Sequence, residues 1–221
     1  LATTAFIDAD AFMDSTGRFV FSGATDAAIS NYGQINVPSG YAVLAGRNVA
    51  NISSSNNEAL ISARLGKVAL GGGRDFTVDF AGNGLVSFLV ADPAAATEAS
   101  ATVKNISNSV TNSGKIAADG GTILMTVRSA VDIIGNVINN TGIVQAKTVS
   151  NTGGVITLDA GPKGKISVGS SSVGGIIDAS GGTGVNGGTI TLTASSIDIN
   201  AASTLLANGG AAGTAIGGST G

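Results

Sequence analysis

Three aspartates crowd the stretch IDADAFMD: Asp8, Asp10 and Asp14. Hard cations such as calcium take several carboxylate and carbonyl oxygens, and Asp8 and Asp10, two positions apart, would share one face of a strand. No Gly-Gly-x-Gly-x-Asp repeat accompanies them, so a solvated acidic edge is the expectation and these three stand only as a calcium candidate. The run Gly71-Gly72-Gly73-Arg74 invites a phosphate-loop reading, but no Gly-Lys-Ser/Thr follows it and the run reads as a corner. Alternating threonines at Thr189, Thr191 and Thr193, with Thr122, Thr126 and Thr157, have the spacing of an ice-binding ladder. That needs the same pattern on several successive strands, and an outward threonine row is ordinarily a soluble β surface. Sequons at Asn51, Asn105 and Asn139 imply sugar only on a eukaryotic secretory route.

General acid, base or nucleophilic chemistry has few residues to draw on. The chain has no His, no Cys and no Trp, so a catalytic centre would need carboxylates converging with Lys, Arg or Tyr in one groove. Cleavage of polysaccharides, the enzymatic alternative, demands paired carboxylates at controlled separation and normally an aromatic platform for the sugar. The acids Asp119, Asp159, Asp178 and Asp198 sit at differing offsets from the glycine turns before them and are expected not to form one cluster. No catalytic residue, cofactor or metal is assigned, and the chain reads as not an enzyme.

The elements that would position any site are strands and tight turns. Glycine occupies 34 positions, charged residues are 11%, and the remainder is crowded with Ala, Val, Ile, Thr, Ser and Asn, an alphabet poor in helix formers. Apolar residues at 43% allow a buried core, so the low charge does not signal disorder. The net charge of −3 comes from scattered acids with no basic stripe, which removes nucleic acid from the expected partners. Without Cys there are no disulfides or zinc ribbons, and no apolar run approaches the roughly 18 residues of a membrane span.

Self-similarity organises the rest. NYGQINVPSGYAVLAG, NSGKIAADGGTILMTV, NTGIVQAKTVSNTGGVITLDAG and GIIDASGGTGVNGGTITLTA each pass from a turn into a short strand, turn again at glycine and climb a second, alternating strand. The turn anchors are Asn31 with Gly33, Asn112 with Gly114 and Asn140 with Gly142, followed by Gly40, Gly120 with Gly121, Gly153 with Gly154, and Gly187 with Gly188. Glycine supplies positive φ, asparagine tolerates it, and stacked asparagines can hydrogen-bond as ladders. Strands recurring in this way predict an all-β fold, a right-handed parallel β-helix with extra-helical hairpins or loops. At roughly 20–25 residues per rung it would hold about nine or ten rungs in an open rod of roughly 45 Å. Ile116, Ile123, Met125, Ile156, Leu158, Ile190 and Leu192 are the expected core. DFTVDFAGNGLVSFLV reads as a hairpin turning at Asn83-Gly84, with Phe76, Val78 and Phe80 facing one way and Val86, Phe88 and Val90 another. No aromatic residue follows Phe88, so residues 1–90 are taken as rungs with an aromatic-containing core and a hairpin. Residues 91–103 are taken as an Ala-rich loop or short helix, and 104–221 as regular Gly/Asn-rich rungs. Both ends read as cut from something longer.

AFMDSTGRFVFSGAT, ISNYGQINVPSGYAVLAGRNVAN, GKVALGGGRDFTVDFAGNGLVSFLV, VTNSGKIAADGGTILMTVRSA and GNVINNTGIVQAKTVSNTGGVITLDAG follow one another along nearly the whole chain. In that order and spacing they resemble the haemagglutination-activity, or two-partner-secretion, family of exoproteins typified by filamentous haemagglutinin. The family's amino-terminal module usually carries an Asn-Pro-Asn-Gly-type turn, where this chain reads Asp14-Ser15-Thr16-Gly17. The resemblance implies export through an outer-membrane β-barrel transporter, a secreted or bacterial cell-surface location, and adhesion to a host or neighbouring-cell ligand. A subunit that self-associates into fibres by stacking end to end is the alternative.

Overall fold

Period-two alternation of β-branched residues with small polar ones buries one face of each strand, and in this chain the buried faces are brought together by parallel pairing. The computed structural model describes residues 1–7, 9–13, 17–79, 86–88, 109–128, 137–210 and 219–220. The amino-terminal portion holds β1 (Ala2–Thr3), β2 (Phe6–Ile7), helix α1 (Ala9–Met13) and β3 (Arg18–Ser22). Three-strand units follow. The first is β4 (Ala28–Asn31), β5 (Gln34–Asn36) and β6 (Tyr41–Gly46), and the second is β7 (Asn48–Asn51), β8 (Leu60–Ser62) and β9 (Lys67–Gly72). After β10 (Phe76–Asp79) and β11 (Val86–Phe88) come β12 (Ser109–Asn112), β13 (Lys115–Ala117) and β14 (Thr122–Val127). Then come β15 (Val137–Asn140), β16 (Ile143–Gln145), the long β17 (Val155–Val168), β18 (Ile176–Asp178), the long β19 (Thr189–Ile199), β20 (Thr204–Leu206) and β21 (Ser219–Thr220).

The expected right-handed parallel β-helix is corrected by this pairing. The strand content and the parallel ladders are there, but the strands do not divide into the separate faces of an open rod. They join in one 11-stranded sheet of order β1-β6-β9-β14-β17-β15-β12-β7-β4, with β19 and β21 attached beyond β17, and this sheet forms a nearly closed, barrel-like wall. The physical reason lies in β17. Register shifts around Gly161, which has φ +75°, bend the strand without ending it, so one strand serves both wings of the sheet. A parallel six-stranded sheet, β20-β18-β16-β13-β8-β5, faces the same interior. The repeat count also differs: among the described residues the pairing joins six three-strand units, where nine or ten were expected.

Register places like residues in columns. Ile29, Val49, Val110, Ile138, Ile166 and Ile197 form one, and Ile35, Ile61, Ile116, Val144, Ile177 and Leu205 another. Ile116, Ile123, Met125, Ile156, Leu158 and Ile190 are all fully buried in one core, and Leu192 packs against it half-buried. That core contains no aromatic residue among the described ones. The aromatic side chains expected inside the early units lie outside them, in a second cluster where Phe21, Phe76 and Val78 cover the outward-facing Val43, Ala45 and Ala69. The covering layer is an antiparallel sheet, β11-β10-β3-β2, in which Phe76 pairs with Phe88 and Phe21 stacks on Phe76 at 5.2 Å. The Asn83-Gly84 turn and the 91–103 segment lie outside the described residues. No described helix is long and apolar enough to cross a membrane.

Candidate functional site: a polar cleft over the shortest corners

Asn31, Asn51, Asn112 and Asn140 occupy one register position, at the ends of β4, β7, β12 and β15. Their side chains form a continuous ladder. Asn31 Nδ2 donates to Asn51 Oδ1 at 2.8 Å, Asn51 Nδ2 to Asn112 Oδ1 at 2.9 Å, and Asn112 Nδ2 to Asn140 Oδ1 at 2.8 Å. Asn140 Nδ2 then donates to the Ile176 carbonyl at 3.3 Å, because the next position is Val168. The last three asparagines are fully buried, and each amide also reaches the carbonyl of the strand beyond the corner, Lys115 for Asn51 and Ile143 for Asn112. Buried amides satisfied on both sides fix where the chain turns. Asn51, noticed in the sequence only as a sequon, is the ladder member that the Asn-x-Gly pattern missed. Its glycine partner is replaced by a long loop, so only the alignment of NVANIS with SVTNSG and VINNTG could have found it.

The glycines after these asparagines are required for a reason other than the expected one. Positive φ occurs at Gly17, Gly23, Gly40, Gly120, Gly161, Gly169 and Gly184, and not at Gly33, Gly114, Gly142, Gly154 or Gly188. The constraint is stacking. A Cβ on Gly114 would lie 2.4 Å from the Ala59 carbonyl oxygen, on Gly142 2.1 Å from that of Gly114 and on Gly188 2.2 Å from that of Gly154, each in the neighbouring unit, whereas on Gly154 it would lie 1.5 Å from the Ala146 carbonyl oxygen across its own turn. Gly33, in the first unit with no corner beneath it, would meet nothing within 4 Å.

Corner length then shapes the surface. Only Ser113 and Gly114 separate β12 from β13, and only Thr141 and Gly142 separate β15 from β16. On either side the same corner is long: residues 52–59 project from one neighbouring unit and 169–175 from the other. Both projections are internally braced. Ser54 and Asn57 exchange backbone hydrogen bonds, Ser53 Oγ accepts from the Ala59 N–H, and Ser170 pairs with Val173. Between them lies a cleft of about 240 Å³. Its floor is Ser113, Lys115, Thr141 and Ile143, with Ser53 and Glu58 on one wall and Ile176 at the other. The Lys115 N–H donates to the Ala59 carbonyl, and Lys115 and Glu58 both line the cleft. Neither makes an ion pair among the described residues.

The acids singled out in the sequence lie apart from this cleft. Asp159 pairs with Arg128, and Asp198 with Lys165 at 3.5 Å. Asp119 accepts from Gln145 Nε2 and the Lys147 N–H, while Asp178 meets the Lys147 ammonium at 3.3 Å. Asp119 and Asp178 thus share Lys147, and the four form no single cluster. Asp10 sits on α1, which corrects its expected place on a strand face: Ala9, Ala11 and Met13 favour a helical turn, and Phe12 docks at 5.4 Å on Phe19. Asp8 and Asp14 lie outside the described residues, among which no group of three acids is placed to hold a metal. The threonines do not make a ladder either. Thr157 aligns with Thr191, but its neighbour on the other side is Leu124, and Thr126 aligns with Asp159. Comparison with protein-family models and with curated proteins finds no match to the sequence.

Proposed function

We propose that this chain is a segment of a non-enzymatic bacterial surface protein, an adhesin of the filamentous-haemagglutinin type, exported by two-partner secretion through an outer-membrane β-barrel transporter and displayed outside the cell. The ordered motifs named above support the family part of this reading. The observation that carries the adhesive part is the wall of parallel strands. One of its outward columns, Ser30-Ala50-Thr111-Asn139-Ser167, is small and mostly polar over an aliphatic interior. Such a wall presents side chains at fixed spacing with little entropy left to lose on binding. Beads coated with the folded chain should adhere to epithelial or bacterial cells above beads coated with the heat-denatured chain. Equal adhesion would remove the reading.

A second reading, a self-associating fibre subunit, is favoured by the strand edges. Among the described residues β4, β5 and β20 are each paired on one side only, and Ile197 and Ile199 are 43% and 46% exposed at the last unit. Light scattering across a dilution series distinguishes the two: concentration-dependent growth of the particle supports the fibre, and a constant monomer mass supports the adhesin segment.

A further inference from the structure

We propose that the chain associates head to tail, the last three-strand unit of one copy pairing in parallel with the first unit of the next. This rests on the fibre reading above and names the surfaces that meet. At each of the five junctions between units, two backbone bonds recur across the corner. The residue after the unit's first strand donates to the end of that strand in the unit before: Ile52 to Asn31, Ser113 to Asn51, Thr141 to Asn112, Gly169 to Asn140 and Asn200 to Val168. The opening residue of the second strand donates to the residue preceding its counterpart: Leu60 to Gly33, Lys115 to Ala59, Ile143 to Gly114, Ile176 to Gly142 and Thr204 to Gly175. A trans peptide sets each N–H opposite the carbonyl before it. The Asn31 and Gly33 carbonyls face the second unit, so the Tyr32 and Gln34 N–H groups face away, where no described unit lies. The Asn200 and Thr204 N–H groups face the fifth unit, so the Ile199 and Ser203 carbonyls face out of the last. One end offers the two donors of a corner junction, and the other its two acceptors.

Other features of the two ends fit a second copy of this chain. Gly114 and Gly142 are held to glycine by a carbonyl of the unit before, but Gly33 has neither a positive φ nor any atom within 4 Å of an added Cβ. In the stack the neighbour's Ser203 carbonyl takes the place that the Ala59 and Gly114 carbonyls take inside the chain. The half-strands are complementary too. β1 pairs only with Leu44 and Ala45 of β6, while the register columns carry Ser219 and Thr220 of β21 to the level of Tyr41 and Ala42. A neighbour's β21 therefore lies along the open part of β6, in line with β1 and without overlap. The aliphatic columns continue across the junction, with Ile197 over Ile29 and Leu205 over Ile35. Ile197 and Ile199 are 43% and 46% exposed where their column partners Ile166 and Val168 are fully buried. Asn31 meets Ile199 without losing a bond, because its Oδ1 accepts from the Gly33 N–H and its Nδ2 donates to Asn51. In β4, β5, β20 and residues 196–199 the one charged side chain is Asp198, already paired with Lys165, so no like charges oppose each other. The contact is heterologous, so every added copy presents a free end to the next.

The test begins with light scattering of the native chain over a dilution series. Growth with concentration is expected, and a constant monomer mass would overturn this proposal together with the fibre reading. Two variants block the first end. Gly33→Ala sets a methyl group where the neighbour's Ser203 carbonyl must lie, and Ser30→Pro removes an N–H that strand alternation turns to the same side as that of Tyr32. Each should weaken association by about a hundredfold or more while circular dichroism and the thermal midpoint stay near native. Ile199→Pro blocks the last end in the same way. Assembly of a folded first-end variant to native size would overturn the proposal and leave the fibre reading to another surface. Mixing tests the direction. A first-end variant keeps a working last unit and Ile199→Pro keeps a working first unit, so each alone stays monomeric and together they form one-to-one dimers. A mixture that stays monomeric, or that grows beyond the dimer, would overturn head-to-tail pairing.

Discussion

Replacing Asn112 by alanine tests whether the buried ladder holds the corners together. In the native chain Asn112 Oδ1 accepts from Asn51, and its Nδ2 donates to Asn140 Oδ1 and to the Ile143 carbonyl, all without access to water. Truncation leaves Asn51 Nδ2 still within 3.2 Å of the Lys115 carbonyl, so that donor remains served. Asn140 Oδ1 loses the donor that Asn112 supplies. One buried acceptor stripped of its partner costs about 1–3 kcal/mol, and the space left by the amide adds to this, giving about 2–4 kcal/mol in all. Asn112→Asp keeps the volume but replaces Nδ2 by an oxygen facing Asn140 Oδ1 and the Ile143 carbonyl. At neutral pH it should be the more damaging change. Asn31→Ala likewise takes the donor from the buried Asn51 Oδ1 and should cost about 1–3 kcal/mol, without the added term for a buried cavity because Asn31 itself is half-buried. Urea unfolding followed by circular dichroism gives the three values from the midpoints, with the slopes checked for constancy. A loss below about 0.5 kcal/mol at Asn112, or an aspartate variant as stable as the native chain, would refute the argument that satisfied amide donors hold the stack.

The stacked glycines and the two cores yield further expectations. Gly142→Ala should destabilise by more than about 3 kcal/mol, since its Cβ would sit 2.1 Å from a backbone oxygen that cannot move alone, whereas Gly33→Ala should stay within about 1 kcal/mol of native or gain slightly. Thermal midpoints of the pair would show this, and similar shifts would mean that the corners can separate. Ile156→Ala, fully buried in the aliphatic core, should cost about 2–5 kcal/mol in the same urea assay, and a loss below about 1 kcal/mol would place that side chain outside the core. Phe76→Ala should cost about 3–5 kcal/mol and expose the Val43, Ala45 and Ala69 surface, read as binding of a hydrophobic dye. A variant that binds no more dye than native would show the outer layer is held by other contacts.

Local physics was legible in the residues themselves. The shortage of helix formers and the alternation of Ile123, Met125, Ile156 and Leu158 with polar neighbours determined strands with one buried face, because the period of two is a property of the extended backbone. The recurrence of Asn-x-Gly marked the corners, because buried side-chain amides and absent Cβ atoms are chemical requirements visible as residue types. What those corners need was decided by tertiary contacts: Gly142 is glycine because the carbonyl of Gly114 from another unit lies beneath it, not because its own φ is positive. The same holds for sheet connectivity. That β17 bends at Gly161 and continues into the opposite wing, turning the expected β-helix into one nearly closed sheet, depends on hydrogen bonds to strands distant in sequence. The aromatic residues before residue 90 read as the core of the early units, and their place in a separate cluster on the outer side of β6 and β9 came from antiparallel pairing of β10 with β3, more than fifty residues away. The cleft belongs wholly to the fold. Ser53, Glu58, Lys115 and Thr141 are unremarkable in sequence, and they line one cleft only because two short corners happen to be stacked between two long ones.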